Sequence, residues 1–178
     1  MSSLIEDLNN DGFDDLIFWN FDNRSYWSLV DEGYILLSNG SSEIKEWGKK
    51  TLPTGPFGYD HNKYNHAASG DFNGDGFEDV AVAITRDLPY YEGAYIQILI
   101  NDQKGVLVDQ TDQRFHNQLR MDSHHGEGNI YVRDMNEDGH LDIIHSTRDY
   151  KSGLHGAHIA LNDGNGNFSS INEDDLTM

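Results

Sequence analysis

A nine-residue pattern rich in aspartate recurs three times in this chain and limits the folds open to it. The copies read DLNNDGFDD (7–15), DFNGDGFED (71–79) and DMNEDGHLD (134–142). Their first residues, 7, 71 and 134, lie 64 and 63 residues apart. Self-similarity at a nearly fixed period is the sequence signature of tandem structural repeats, in which each unit packs on its neighbours.

A second pattern follows each copy at a matching distance, an alternating apolar run that ends in a polar turn at 34–39, 95–101 and 157–162. Gly and Asn/Asp turns divide each unit into four short strands, and helical periodicity is nowhere convincing. In unit two we predict strands at 66–72, 80–85, 95–100 and 106–110. In unit three we predict them at 129–135, 143–147, 158–162 and 167–172.

Four antiparallel strands per repeat predict an all-β fold, a β-propeller of three four-stranded blades. The blades are about 1–50, 64–112 and 127–176 of a single propeller unit, 1–178. A β-sandwich also has many short strands, but it gives no reason for an Asp-rich loop to recur once per four strands. A propeller ring typically needs about four to eight blades. Three blades therefore predict either a homodimer that closes a six-bladed ring or the remaining blades of a longer parent chain.

The Asp-rich loops have the donor pattern of a calcium site. Ca²⁺ takes about six to eight oxygens from flexible loops, with ligands at alternate positions and a Gly where the chain turns sharply. Mg²⁺ suits them less because it prefers a smaller octahedral shell with several waters. The alternative, plain Asp/Asn/Gly turns, leaves several close carboxylates unneutralised. We predict three Ca²⁺ sites, one per blade. In each site the residue at the seventh position of the loop would bind through its backbone carbonyl and the others through their side chains. The predicted ligands are Asp7, Asn9, Asp11, Phe13 and Asp15; Asp71, Asn73, Asp75, Phe77 and Asp79; Asp134, Asn136, Asp138, His140 and Asp142.

The stretch GDFNGDGFEDVAVA (70–83) resembles FG-GAP/VCBS-type repeats, the family of integrin α-subunit propellers and of many bacterial surface and secreted proteins. The resemblance covers essentially the whole chain. The Phe-Gly and Gly-Ala-Pro segments of one branch are not evident, so the bacterial VCBS-like branch fits better than the integrin branch. The resemblance implies calcium-binding propeller blades and an extracellular or cell-surface location.

Charge and composition exclude several classes of partner. The chain has 31 Asp plus Glu against 12 Lys plus Arg, a net charge of −19, which argues against nucleic acid and anionic membrane surfaces. Cysteine is absent, which excludes disulfides and Cys-based zinc or redox sites. No run approaches the roughly 18 apolar residues of a membrane span, and the N-terminus lacks the features of a signal peptide.

Strand direction alternates within a blade, so the other loops should share the face opposite the Asp-rich loops. That face collects aromatic, His and Arg residues. Aromatic planes stack on sugar rings, and Arg binds carboxylate or sulfate bidentately. We therefore expect a noncatalytic recognition module, lectin-like or adhesive, for example for an acidic polysaccharide. The predicted ligand-face residues are Arg24, Trp27, His61, Tyr64, Arg86, Tyr90, Tyr91, His124, His125, Arg148 and Tyr150.

Other interpretations of this face stay open. The aromatics could pack the loops together while the Arg residues pair with Asp22, Asp87 and Asp149. A polysaccharide lyase or hydrolase could use His61, His124, His125 and Tyr64 as base and acid, and the same histidines could hold a transition metal. A purely structural repeat of a larger surface protein is a further possibility. The segment 162–168, although rich in Asn and Gly, is predicted to be a plain hairpin turn.

Overall fold

The computed structural model describes residues 3–19, 33–58, 61–86, 93–118, 124–149 and 151–171. Within these ranges the chain is almost entirely β-strand and loop. The helical elements described are one 3-10 turn, Ile44–Glu46, and one short helix, α1, Thr111–Arg114. The strands are β1 Ser3–Glu6, β2 Asp15–Trp19, β3 Gly33–Leu37, β4 Gly48–Thr51, β5 Asn62–Gly70, β6 Asp79–Arg86, β7 Ala94–Asn101, β8 Leu107–Asp109, β9 His125–Gly126, β10 Ile130–Arg133, β11 Asp142–Asp149, β12 His155–Asn162 and β13 Phe168–Ile171.

The strands form three antiparallel sheets, each with four strands in chain order. Unit 1 contains β1 to β4, unit 2 contains β5 to β8, and unit 3 contains β10 to β13, with the short β9 added beside β11. Each Asp-rich loop joins the first and second strands of its unit. The predicted all-β fold with three four-stranded antiparallel sheets is confirmed.

The predicted strands 66–72 and 129–135 end beyond the observed ones, and the predicted strands 66–72 and 158–162 begin after the observed ones, which start at Asn62 and His155. Strand β5 begins at Asn62 and ends at Gly70, and β10 ends at Arg133, so Phe72 and Met135 lie in the loops. The reason is their backbone hydrogen bonding. The N–H of Phe72 donates to the Asp79 carboxylate at 3.1 Å, and Met135 makes the same bond within unit 3. Neither α1 nor β9 was predicted.

The three sheets pack face to face in chain order. Strands β6 and β7 of unit 2 are buried almost throughout, whereas β2 in unit 1 alternates between buried and half-buried residues. Unit 2 is therefore covered on both faces. One core cluster includes Ile17 of unit 1 and Val82 of unit 2, and a second includes Ile98 of unit 2 and Ile143 of unit 3.

The first strands of the three units lie next to one another. Strand β5 contacts β1 on one side and β10 on the other. The hydroxyl of Ser69 in β5 donates to the Glu6 carboxylate in β1 at 2.5 Å. Among the described residues, no helix has the length and apolar character needed to cross a bilayer.

In units 2 and 3 a buried asparagine joins the unit to the loop of the unit before it. The side-chain amide of Asn101 donates to the carbonyl of Leu8 at 2.7 Å, and that of Asn162 donates to the carbonyl of Phe72 at 2.8 Å. Both asparagines end the third strand of their unit. We call this contact the asparagine clamp.

Unit 1 has a serine where units 2 and 3 have the clamp. In the sequence the apolar run 34–39 ends at Asn39, as the other two runs end at Asn101 and Asn162. The backbone N–H of Ser38, however, bonds the last Asp of its own loop, as those of Asn101 and Asn162 do. Asn39 is exposed and bonds the carbonyl of Glu46 instead.

Replacing the clamp tests its contribution to stability. Asn101→Ala leaves the buried carbonyls of Leu8 and Glu78 without the Asn101 amide, and should lower the free energy of unfolding by about 2 to 4 kcal/mol. The control Asn39→Ala changes an exposed residue and should cost about 0.5 kcal/mol. Urea denaturation measures both, and equal losses would contradict the assignment.

Candidate metal centres and the opposite face

The first Asp-rich loop is held by its own side chains. Asp7 Oδ1 and Asn9 Oδ1 both accept the backbone N–H of Asp11, each at 3.1 Å. Asp7 Oδ2 accepts the N–H of Gly12 at 2.8 Å, and Asp11 Oδ1 accepts that of Phe13 at 3.0 Å. Side chains at alternate positions therefore turn their oxygens toward the same short stretch of backbone.

The other two loops repeat this network bond for bond. In the second loop the N–H of Asp75 donates to the first- and third-position side chains, at 3.0 and 2.9 Å. In the third loop the N–H of Asp138 makes the same two bonds, both at 3.2 Å. The third-position amide also donates to the fifth-position carboxylate in every loop. Three separate segments thus share one local conformation.

Glycine is required at the sixth position of each loop. Gly12, Gly76 and Gly139 have φ values of +90°, +87° and +90°, a backbone conformation that residues with a Cβ rarely adopt. A Cβ placed on any of these glycines would meet no atom within 4 Å. The requirement therefore comes from backbone conformation and not from crowding.

The ninth-position residues of the loops, Asp15, Asp79 and Asp142, are buried. The carboxylate of each accepts one backbone N–H from its own loop and one from the end of the third strand, and we call this pair of bonds the bracket. Asp79 Oδ2 accepts the N–H of Phe72 in the loop at 3.1 Å, and Oδ1 accepts the N–H of Asn101 in β7 at 2.8 Å. Asp15 and Asp142 make the equivalent pairs of bonds. A carboxylate offers about four lone-pair sites, so two N–H bonds leave acceptor capacity on the same oxygens.

Burial changes the acidity of two of these carboxylates. It raises the pKa of Asp79 to about 6, with a further rise from the Asp75 and Asp71 carboxylates, although the two backbone N–H bonds oppose it. Burial likewise raises the pKa of Asp15 above its ordinary value. The loops therefore hold like charges close together around a dehydrated carboxylate.

The donor chemistry of the loops fits Ca²⁺. The predicted ligands of each loop are three carboxylates, one amide oxygen and one backbone carbonyl, which are the hard oxygen donors that this cation takes. The described residues contain no cluster of three or more His, Cys, Asp or Glu side chains close enough to hold a metal. In this conformation the carboxylates of the loops accept hydrogen bonds from backbone N–H groups and from the third-position Asn amide.

The segment 162–168 is a hairpin turn between β12 and β13, as predicted. Asp163 Oδ1 accepts the N–H groups of Asn165 and Asn167 at 2.8 and 3.2 Å. The Asn167 amide, followed by the Asn165 N–H, lowers the pKa of Asp163. The hairpin between β7 and β8 has the same arrangement around Asp102.

Two of the predicted ligand-face arginines lie at the sheet ends remote from the loops. Arg86 pairs in register with Asn62 in unit 2, and Arg148 pairs with Gly126 in unit 3. His125 stands beside Gly126 in β9, and His61 directly precedes β5. Five further predicted residues lie outside the described part of the chain: Arg24, Trp27, Tyr90, Tyr91 and Tyr150.

Tyr64 belongs to the packing between units 1 and 2. Its ring stacks on Trp19 with centroids 5.9 Å apart, and its hydroxyl accepts the N–H of Gly55 at 2.9 Å. The buried Nδ1 of His61 has no hydrogen-bond partner among the described residues. Sequence grouped these two residues as neighbours on one face, whereas the structure gives Tyr64 a role in the core.

The charged groups at this end are held in different ways. The Arg86 guanidinium lies 5.9 Å from the centre of the Phe57 ring, and Lys63 pairs with Glu127 at 3.4 Å. Arg148 is exposed. The backbone N–H groups of Ser152 and Lys151 bond the carboxylate of Asp149 and lower its pKa. Of the other predicted pairing partners, Asp22 and Asp87 lie outside the described residues.

Comparison with known families supports the repeat. The family model of the FG-GAP-like repeat matches residues 7–82 and 71–145, more than half of the chain. The chain belongs to the FG-GAP-like repeat family. Each matched span begins at the first Asp of one loop and continues past the next loop. Searches of curated proteins and of solved structures returned no match.

Two features of these FG-GAP-like units were missed in the sequence. The ninth Asp was predicted only as a metal ligand, although it also brackets the loop to the third strand. The clamp residues, Asn101 and Asn162, were seen only as the ends of apolar runs. The signal that could have identified them is an asparagine that closes both apolar runs at a similar distance from the loop, 22 and 20 residues after the ninth Asp.

The two hydrogen bonds of the bracket should stabilise the fold even without metal. In excess chelator, Asp142→Ala leaves the buried N–H of Asn162 and the partly buried N–H of Met135 without their acceptor and should lower the free energy of unfolding by about 2 to 4 kcal/mol. Asp138→Ala, in the exposed part of the same loop, should cost about 0.5 kcal/mol. Chemical denaturation in chelator gives both values. A loss at Asp138 as large as that at Asp142 would show that the bracket is not the main support.

Proposed function

We propose that this chain is part of a calcium-stapled β-propeller that acts as a noncatalytic recognition module. Its ligand face is the one opposite the calcium loops, and its ligand class is acidic polysaccharide. The observation that carries the proposal is the single hydrogen-bond network shared by all three Asp-rich loops.

The packing of the sheets supports a propeller. Its blades are four-stranded antiparallel sheets arranged around a common axis, with the first strand of each nearest that axis. The three sheets here pack face to face, and β1, β5 and β10 lie side by side. Membership in the FG-GAP-like repeat family agrees with that architecture.

The position of the loops supports a stapling role for calcium. The side-chain amide of Asn10 in the first loop donates to the carbonyl of Gly76 in the second at 3.0 Å. The carbonyls of Leu8 and Phe72, which receive the asparagine clamps, also belong to these loops. A cation that orders a loop would therefore also brace the junction between two blades.

The repeated arginines support a ligand face for an anionic polymer. Arg86 ends β6 and Arg148 lies one residue before the end of β11, so both lie at the end of their sheet remote from the Asp-rich loop, in a protein whose net charge is −19. An Arg fork binds a carboxylate through two parallel hydrogen bonds. Tyr64, one of the four base-and-acid candidates for a lyase, packs between units 1 and 2 against Trp19, which favours recognition over catalysis.

Calcium removal gives the first test. EDTA should lower the melting temperature of the wild-type chain and added Ca²⁺ should restore it, because a ligand of the native state adds stability by mass action. At a concentration of about 100 times Kd each site contributes about 2.7 kcal/mol, or roughly 5 to 10 °C for a chain of this size. Asp75→Asn removes one ligand charge from the second loop and should reduce the Ca²⁺-dependent shift by about one site.

A matched control is Asp163→Asn, the same substitution in the hairpin that is predicted not to bind metal. It should leave the calcium-dependent shift intact. Differential scanning calorimetry with and without EDTA measures both variants. If EDTA leaves the wild-type melting temperature unchanged, calcium has no structural role and this part of the proposal fails.

Ligand binding gives the second test, with polygalacturonate, a polymer of uronic acid, as the probe. The chain should bind it saturably, and Arg148→Ala should weaken binding by about tenfold because one charge-assisted contact is lost. The control Arg133→Ala removes an equally exposed arginine from the loop end of the same sheet and should leave the affinity unchanged. Isothermal calorimetry measures all three.

The same incubation separates recognition from catalysis. New unsaturated ends, followed by their ultraviolet absorbance, would show lyase activity and overturn the noncatalytic assignment. Absence of saturable binding, or equal losses for the Arg148 and Arg133 variants, would overturn the assignment of the face.

A further inference from the structure

The first and last units each present a half-exposed apolar sheet face. We call the face toward the preceding unit the upstream face and the face toward the following unit the downstream face. On the downstream face of unit 3, Met135 is 46% exposed and Tyr131 is 52% exposed. On the upstream face of unit 1, Ile5 is 64% exposed. The half-buried residues beside them are Leu16, Phe18, Tyr34 and Leu36 in unit 1, and Ile144, Ile159 and Leu161 in unit 3.

Met135 occupies the position that holds Leu8 and Phe72 in the other units. All three follow the first Asp of their loop, and all three donate their N–H to the ninth-position Asp. Leu8 is 0% exposed and Phe72 is 1% exposed, whereas Met135 is 46% exposed. The difference arises because units 2 and 3 pack over Leu8 and Phe72.

The residues that cover these positions start the fourth strand of the next unit. The Phe72 ring packs edge-on against Phe168, with centroids 5.4 Å apart, and Leu8 shares a core cluster with Leu107. Phe168 and Leu107 stand opposite the clamp residues in the β-ladder. The pairing of β3 with β4 identifies the equivalent residue in unit 1.

Trp47 is the counterpart of Phe168 and Leu107 in unit 1. Leu37 pairs with Gly48 in the ladder between β3 and β4, which places the extended Trp47 opposite Ser38. Ser38 is the counterpart of the clamp asparagines. Trp47 is half-buried, and its indole N–H donates to the Ser41 carbonyl at 3.0 Å. Met135 in unit 3 therefore occupies the position that the next unit covers in units 1 and 2. Trp47 in unit 1 occupies the position from which units 2 and 3 cover the unit before them.

We propose that a second copy of this chain covers both faces, with Trp47 of each copy packed on Met135 of the other. The contact continues the interface that already joins units 1 to 2 and 2 to 3. It is heterologous, since two different surfaces meet, and such contacts close into a ring only at the right rotation.

Blade number then fixes the size of the assembly. Propellers close with typically about four to eight blades. Each copy contributes three units, and the only multiple of three within that range is six. Two copies joined by two identical contacts therefore form the ring, with twofold symmetry.

The junction between copies should be weaker than the junctions within a copy. Ser38 replaces the clamp asparagine of units 2 and 3, so its side chain lacks the amide that bonds the preceding loop. The contact between copies depends on apolar burial instead. We expect a dimer that dissociates on dilution.

Mass measurement tests the assembly. Sedimentation of the full 178-residue chain at high concentration should give about 40 kDa, twice the 20.2 kDa of one chain. Met135→Asp should raise the dimer dissociation constant at least about tenfold, because the contact would bury an unpaired charge. The control Val108→Asp changes a residue of nearly equal exposure, 44%, in β8 of unit 2, and should leave the dimer intact. Circular dichroism confirms that both variants fold.

Cross-linking tests the orientation. The natural chain has no cysteine, so Met135→Cys and Trp47→Cys each introduce a single thiol. A short bismaleimide should join the two variants when they are mixed, giving a band of about 40 kDa on a denaturing gel, and should join neither variant to itself. A monomer of 20.2 kDa at every concentration, loss of the dimer in the Val108 control, or a cross-link within the Met135→Cys variant alone would overturn the proposal. A monomer at every concentration would instead indicate that neighbouring repeats of a longer chain cover the two faces.

Discussion

The structure depends on one repeated interaction, a buried aspartate that accepts two backbone N–H groups from different parts of its unit. Asp79 bonds Phe72 in the loop and Asn101 at the end of β7. The bond to Phe72 ends the first strand, and the bond to Asn101 fixes where the third strand ends. A neutral side chain of the same size offers fewer lone pairs, which explains an aspartate at this position in all three units.

This bracket also links neighbouring units, because its second partner is the clamp residue. The backbone N–H of Asn101 belongs to the bracket of unit 2, while its side-chain amide bonds the loop carbonyl of Leu8 in unit 1. Order in one loop is therefore transmitted to the next through a single residue. The hairpin at Gly105 also packs closely on unit 1, since a Cβ on Gly105 would lie 2.6 Å from Leu37 Cδ2.

The sequence predicted much of this fold because the repeat supplied the same information three times. Four strands per unit, antiparallel order and the hairpin at 162–168 could all be predicted from turn residues and alternation. Phe72 and Met135 were assigned to strands because an apolar residue just after the strand continues the alternation. The run 34–39 was ended at Asn39, one residue past Ser38, because alternation does not reveal which residue bonds the ninth Asp. The loop ligands were predicted from composition and spacing, but alternation gave no sign that the ninth Asp is buried between its own loop and its own third strand in all three units.

The loop end and the opposite end of the sheets in units 2 and 3 differ in what constrains them, which agrees with the proposed division between stability and recognition. At the loop end, the bracket, the clamp and the glycines at positive φ leave little freedom for substitution. At the other end, the arginines of units 2 and 3 have different surroundings: Arg86 lies near Phe57, whereas Arg148 is exposed beside β9. A surface that must recognise a ligand needs side chains that can differ between repeats without disturbing the core. The same strands join the two ends, so under the proposed function calcium at the loops would influence the spacing of the arginines without touching the ligand.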